Sequence, residues 1–274
     1  MSDDPTASDV AGAPALEATS LRETENPRLL LVLVPGLGTD VASTWRAAAA
    51  HLPEDVWAVG LDLPGHGRSA PWTDAPATPS MPQLARAVVD AVQRLRSTHP
   101  RLEHSPLRVA GTSLAGGLTL QLAAEHGAVV DSATVFGGLP RFGTAEAWRD
   151  RAQQVLDDGT EALTEGSMPR WFSPAFRASA PEAVHAVMGS LRAADDSSYA
   201  ALCTVLSGFD LRKELPAIST PVHLVAGELD PVAPPEEIRA AAEAIPGARL
   251  TLVDGVAHQI AVERPQRAAE LLSA

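Results

Sequence analysis

Three things are scarce in this chain of 274 residues: cysteine, positive charge and long apolar runs. The single cysteine, Cys203, excludes an intramolecular disulfide and any cysteine-based metal site, and is expected to pack as a small apolar side chain. Lys and Arg number 21 against 34 Asp and Glu, a formal net charge of −13, which argues against nucleic acid and anionic membranes as partners. The longest aliphatic run, residues 29–34, falls far short of the roughly 20 apolar residues that cross a bilayer. No basic residue precedes Arg22 and no apolar segment follows Met1, so a secretory signal is not expected and the cytoplasm is the expected compartment. An internal repeat, a Gly-x-Gly-x-x-Gly fingerprint and a lysine-bearing P-loop are all missing, so the glycine-rich segments do not read as phosphate cradles. Neither a cysteine cluster nor a His-x-x-x-His helix is present, and no metal or other cofactor is expected.

What the chain does have is core material. Apolar residues make up 45% of it and the mean hydropathy is near zero, enough for one large domain and unlike a disordered or fibrous chain. Residues 1–27 mix Asp, Glu, Ala, Thr, Ser and Pro without periodicity and read as a flexible leader. From Leu29 onward, short aliphatic runs at 29–34, 56–61, 107–111, 128–136, 222–226 and 249–253 alternate with amphipathic stretches at 42–51, 81–97, 114–126, 235–244 and 264–272. That alternation predicts an α/β fold, a mostly parallel sheet flanked by helices, as a single domain over residues 28–274. One interval breaks it: residues 139–210 hold helical patterns and no buried-strand run, which predicts an inserted helical cap.

The strand expected at 107–111 ends in Gly111, Thr112, Ser113, Leu114, Ala115, and a helical pattern starts at once. A serine at a sharp strand-to-helix turn needs tiny residues two places to either side, which Gly111 and Ala115 supply. The competing reading is a serine N-cap on an ordinary helix. A serine hydroxyl also needs a base to take its proton and an acid to orient that base, in the chain order Ser, acid, His for this architecture. Asp230 follows the 222–226 run, and His258 follows the last strand and precedes the final helix. Three suitable residue types at three suitable strand ends predict a triad of Ser113, Asp230 and His258. Glu228, two residues before Asp230, is the rival acid, and Asp131 belongs to the wrong end of the sheet. The oxyanion of such a reaction takes two backbone amides, here Leu114 after the nucleophile and Leu37 in the Gly36-Leu37-Gly38 loop after the first strand. His66, in the loop Gly65-His66-Gly67, reads as structural.

With these residues assembled, the chain from about Leu29 to its C-terminus resembles the alpha/beta-hydrolase superfamily, and within it the 3-oxoadipate enol-lactonases. The superfamily likeness rests on Gly111 to Ala115, Asp62 to Ser69, Gly227 to Asp230, and Ala257 with His258. The narrower one rests on Gly36 to Asp40, on Arg141, Phe142, Gly143 followed by Glu146, Ala147, Trp148, and on Arg170, Trp171, Phe172, Ser173. It continues in Ser198, Tyr199, Ala200 and in Asp210, Leu211, Arg212. Pro35, Pro64 and Ala115 depart from the family pattern and leave the triad untouched. The resemblance implies metal-free opening of a small, anionic enol-lactone by a serine nucleophile, in the catabolism of aromatic compounds.

An anion entering so acidic a protein must meet a local cation, for which Arg141 is the expected residue, with Trp148 and Trp171 as expected pocket walls. The expected partner is thus a small-molecule ester or lactone, and a homo-oligomer is left open. Two alternatives stand beside the lactonase: a general carboxylesterase or perhydrolase-like relative with the same triad, and a non-catalytic ligand-binding pseudoenzyme. A haloalkane dehalogenase of this architecture is disfavoured, because it needs a carboxylate where Ser113 stands.

Overall fold

The structure, a computed structural model, describes residues 12–274. Its centre is a seven-stranded sheet in the order β1-β3-β2-β4-β5-β6-β7, formed by β1 (Ala18–Arg22), β2 (Leu29–Val34), β3 (Val56–Leu61), β4 (Leu107–Thr112), β5 (Ser132–Phe136), β6 (Val222–Gly227) and β7 (Arg249–Val253). All neighbours pair in parallel except β1 with β3. Helices α1 (Val41–Ala49), α2 (Met81–Thr98), α3 (Leu114–Glu125), α9 (Pro235–Ala244), α10 (Ile260–Glu263) and α11 (Pro265–Ser273) accompany the sheet. Between β5 and β6 come α4 (Ala145–Asp158), α5 (Thr164–Trp171), α6 (Pro174–Ser179), α7 (Pro181–Ala193) and α8 (Asp196–Gly208), which form the cap inside the 139–210 interval.

Strand β2, Leu-Leu-Leu-Val-Leu-Val, is buried along its whole length, because a central parallel strand is covered on both faces and has no solvent side for polar residues. Its alternate side chains divide between two cores. Leu30, Val32 and Val34 pack with Leu84, Val88 and Leu118, whereas Leu29, Leu31 and Leu33 pack with Trp45, Phe136 and Leu271. A third cluster of Phe172, Val184, Val187 and Met188 reaches Val262 of α10 and seats the cap on the body.

The chain leaves β2 toward β3 on one side and returns to β4 on the other, so the order reverses at β2/β4. In open parallel sheets the crevice beyond the strand ends at such a reversal is where ligands bind. Val34 is level with Gly111 in the register, which sets the loops after β2 and β4 side by side.

One expectation is corrected here. The 1–27 segment is not all leader: Ala18–Arg22 is an edge strand, antiparallel to β3, and Leu16 before it is buried. An edge strand buries one face at most, and Ala-Thr-Ser-Leu-Arg carries a single large apolar residue, so no aliphatic run announces it. Backbone pairing and the Ser69 Oγ that accepts from Glu17 N hold it instead. Residues 1–11, the rest of the expected leader, lie outside the described residues.

Candidate active site

Ser113 stands between β4 and α3 with φ 55° and ψ −121°, the only non-glycine residue with positive φ among the described residues. Such a conformation costs about 1–3 kcal/mol and persists only where the surroundings impose it. Here they do: a Cβ on Gly111 would lie 2.1 Å from the Ala115 carbonyl oxygen, and one on Gly116 would lie 2.7 Å from Gly138 Cα. The strand, the turn and the helix are therefore in backbone contact. The Ser113 side chain makes no capping bond to α3, which removes the N-cap reading and leaves the hydroxyl to the cleft.

Asp230 and His258 come from the ends of β6 and β7. Their loops are joined by backbone: Glu228 N donates to Val253 O and Leu229 N to Val256 O, and Gly227 comes so close to Ala257 that a Cβ would sit 2.3 Å from its oxygen. The Asp230 Oδ2 and His258 Nδ1 lie 2.7 Å apart, with both side chains essentially buried. Asp230 Oδ1 accepts from Val232 N at 2.7 Å and Ala233 N at 3.0 Å, so the carboxylate is held at both oxygens. With the proton on Nδ1, donated to Asp230, the ring keeps its Nε2 lone pair for the cleft it lines together with Ser113. Glu228 is exposed and accepts from Gly255 N instead. Asp131 accepts from Leu107 N at the start of β4, remote from the strand ends that carry the cleft.

Leu114 is the first residue of α3, where an N–H has no intrahelical acceptor. In the turn after β2, Gly38 N donates to His66 Nε2 and Thr39 N to Gly36 O, and it is Leu37 that lines the cleft. The two expected oxyanion residues thus flank Ser113, one from each side of the β2/β4 reversal.

The cleft has a volume of about 260 Å³ and is roofed by the cap. Trp148 and Trp171 both line it. Arg141 does not: it is exposed and lies near Asp210. It precedes Phe142, which is buried and faces the cleft, in an irregular, bent stretch that leaves the Arg141 side chain in solvent. The cations of the cleft are Arg151 and Arg170. Arg151 follows Trp148 by three residues on α4 and so shares its face, a spacing that would have indicated it; Arg170 precedes Trp171.

Two further features were missed by sequence reasoning. Gly137 (φ 54°) forms the floor below the Asp230–His258 pair, since a Cβ there would lie 3.2 Å from both Asp230 Oδ2 and His258 Nδ1. Glu263 is buried and accepts from Ala257 N at 3.0 Å, Ser173 N at 3.0 Å and Ser173 Oγ at 2.5 Å, while Gln259 N donates to Trp171 O. The histidine loop is thereby tied to the cap segment that carries Trp171. An acid closing the apolar run Ile260-Ala261-Val262 was the available signal.

Comparisons with known proteins agree with this architecture. The family model described as "Alpha/beta hydrolase family" matches residues 31–271, and the chain belongs to that family. It is 29% identical over 263 residues to 3-oxoadipate enol-lactonase 2 of Acinetobacter baylyi, covering 95% of this chain and 91% of that one. It is also 29% identical over 220 residues to the pimeloyl-[acyl-carrier protein] methyl ester esterase of Vibrio cholerae, covering 76% and 79%. The crystal structure of an enol-lactonase from Burkholderia xenovorans superimposes with a TM-score of 0.84 at 26% identity, over 94% of each chain.

Proposed function

We propose that this protein is a serine hydrolase that opens a small anionic enol-lactone through an acyl-enzyme. The observation that carries the reading is one cleft where Ser113 and the Asp230–His258 pair face two arginines in a protein of net charge −13. Arg151, half-buried, and Arg170, exposed at the cleft wall, offer two guanidinium forks to a carboxylate and attract it against the field of the whole molecule. The likeness to an enol-lactonase at 29% identity over nearly the whole chain supports the same substrate class.

In this mechanism His258 Nε2 takes the Ser113 proton as Oγ attacks the lactone carbonyl carbon. The tetrahedral oxyanion accepts hydrogen bonds from the Leu37 and Leu114 amides, at the N-terminus of α3 where negative charge is favoured. Asp230 keeps the imidazole in one tautomer and stabilises its protonated form. The ring C–O bond breaks, the proton passes from His258 to the departing enol oxygen, and the enol, still tethered to the acyl chain, ketonises. Water deprotonated by His258 then attacks the acyl carbon, Ser113 leaves with the proton, and a keto-dicarboxylate is released. The Arg151 and Arg170 guanidinium groups hold the substrate carboxylate throughout, which fixes the carbonyl over Ser113.

The likeness to methyl ester esterases favours a second reading, hydrolysis of an acyclic methyl ester by the same groups. Steady-state rates on a five-membered enol-lactone bearing a carboxymethyl group, on that lactone's methyl ester, and on short-chain methyl esters separate the two. The lactonase reading expects kcat/KM on the anionic lactone to exceed that on its neutral ester by about 10-fold, between what an exposed and a buried charge pair provide, because Arg151 is half-buried and Arg170 exposed. Faster turnover of the neutral methyl esters would establish the esterase.

A further inference from the structure

The loop Gly65-His66-Gly67 takes no part in the chemistry above, yet its histidine is among the most buried polar groups of the molecule, at 2% exposure. Both ring nitrogens are engaged. Nδ1 lies 2.9 Å from the Pro64 carbonyl, which can only accept, and Nε2 lies 3.0 Å from the Gly38 amide, which can only donate. These partners allow one arrangement, a neutral imidazole with its proton on Nδ1 and its lone pair on Gly38 N–H.

Gly38 adjoins Leu37 in the turn after β2 and has φ +77°. The turn is closed by Thr39, whose amide and hydroxyl both bond to Gly36 O, so once the Gly38 N–H is anchored the peptide plane before it has little freedom. The other side of the histidine loop is set by the cap. Asp195 N donates to Gly65 O, the Tyr199 ring stacks on the imidazole at 6.2 Å and 21°, and a Cβ on Gly65 would lie 2.3 Å from Ser198. Ser198 Oγ in turn accepts from Trp72 N.

We propose that His66 is a positioning residue of the oxyanion hole: its Nε2 lone pair holds the Gly38 amide and thereby aims the neighbouring Leu37 amide at the oxyanion above Ser113. The proposal rests on the serine-hydrolase reading but not on the substrate assigned to it. A residue of this kind acts on the transition state and leaves ground-state binding alone, because the Leu37 amide gains its full hydrogen bond only when the carbonyl oxygen becomes charged.

The test compares His66→Leu, which removes the acceptor, with His66→Gln, whose amide oxygen reaches the place of Nε2, and His66→Asn, whose shorter amide reaches only the place of Nδ1. Three quantities are read on each folded variant: kcat and KM on a neutral short-chain ester, the rate at which a fluorophosphonate modifies Ser113, and the affinity for a boronic acid that forms a tetrahedral adduct. Deleting an oxyanion donor costs about 100- to 1,000-fold, so misplacing one in His66→Leu should lower kcat, phosphonylation rate and boronate affinity together by about 10- to 100-fold with KM nearly unchanged. His66→Gln should recover most of the loss and His66→Asn little of it. If His66→Leu does not fold, the Gln and Asn variants alone decide. Unchanged rates in folded His66→Leu, losses that fall on KM, or equal rates in His66→Gln and His66→Asn would overturn the proposal while leaving the serine mechanism in place. A wild-type Ser113 that the fluorophosphonate does not modify would overturn the serine mechanism itself, and this proposal with it.

Discussion

The floor and the roof of the cleft are built on different principles. Ser113, Asp230, His258, Leu37 and Leu114 sit at or just beyond the ends of β2, β4, β6 and β7, where parallel register and backbone-to-backbone contact at Gly111, Gly116 and Gly227 leave them no freedom. Trp148, Arg151, Arg170 and Trp171 belong to cap helices α4 and α5, whose position depends on side-chain packing and on a few bonds such as those of Glu263. On the proposed mechanism the floor carries the reaction, and its geometry is set by main-chain contacts. On the same proposal the roof selects which ester reaches it, and it could be rebuilt without touching the chemistry.

The largest break in that comparison should come from Ser113→Ala. Removal of a triad nucleophile costs about 10⁶-fold in kcat, while loss of one small hydroxyl should leave the melting curve almost unchanged. A fluorophosphonate adduct at another serine, with activity lost, would falsify the assignment.

Asp230→Asn comes next. It forces the wrong imidazole tautomer, an effect of about 10⁴-fold in kcat elsewhere, whereas Glu228→Gln changes an exposed group and should cost little. Equal losses in the two variants would move the orienting acid to Glu228.

The roof should respond by substrate. Arg151→Ala, at a half-buried position, is expected to lower kcat/KM on a carboxylated lactone by about 10-fold, Arg170→Ala, at an exposed one, by only a few-fold, and both to spare a neutral short-chain ester. Arg141→Ala, being outside the cleft, should affect neither substrate. A loss common to both substrates would show that the arginines hold the cap rather than the ligand.

Acid should weaken the whole fold more modestly. Burial depresses the pKa of His66, His126 and His223, the last to about 4 from an ordinary 6.5. The unfolded chain therefore takes up protons that the folded chain refuses as pH falls below about 6.5, so this stability is present at neutral pH and is lost on acidification. Melting curves from pH 7.5 to 5 should show Tm falling, and His223→Val should flatten part of the slope. A Tm that rises toward pH 5 would contradict the burial argument.

Chelation should do nothing at all. A serine hydroxyl activated by histidine needs no Lewis acid, and prolonged treatment with EDTA is expected to leave kcat unchanged. A loss that zinc or manganese restores would overturn the mechanism.

The floor was readable in the sequence because each of its parts has a local cause. The aliphatic run 107–111, tiny residues around Ser113, and an acid and a histidine after successive later runs are all short-range patterns, and the parallel sheet converts strand ends into neighbours. The edge strand Ala18–Arg22 was not readable, since main-chain bonds to β3 hold it and leave little trace in side-chain polarity. Arg141 was misplaced for a related reason: proximity to the cap in sequence says nothing about which way a side chain in a bent connection faces.

Chain order, residue type and hydrophobic period were thus sufficient for the α/β class, for a helical stretch between β5 and β6, and for expecting Ser113, Asp230 and His258 at strand ends that the sheet brings close together. Which cations enter the cleft, that Glu263 ties the histidine loop to the cap, and that His66 grips the turn beside Leu37 were decided in three dimensions. These contacts join residues 28 to 90 positions apart through helix packing and buried hydrogen bonds, and no pattern of neighbours along the chain encodes them.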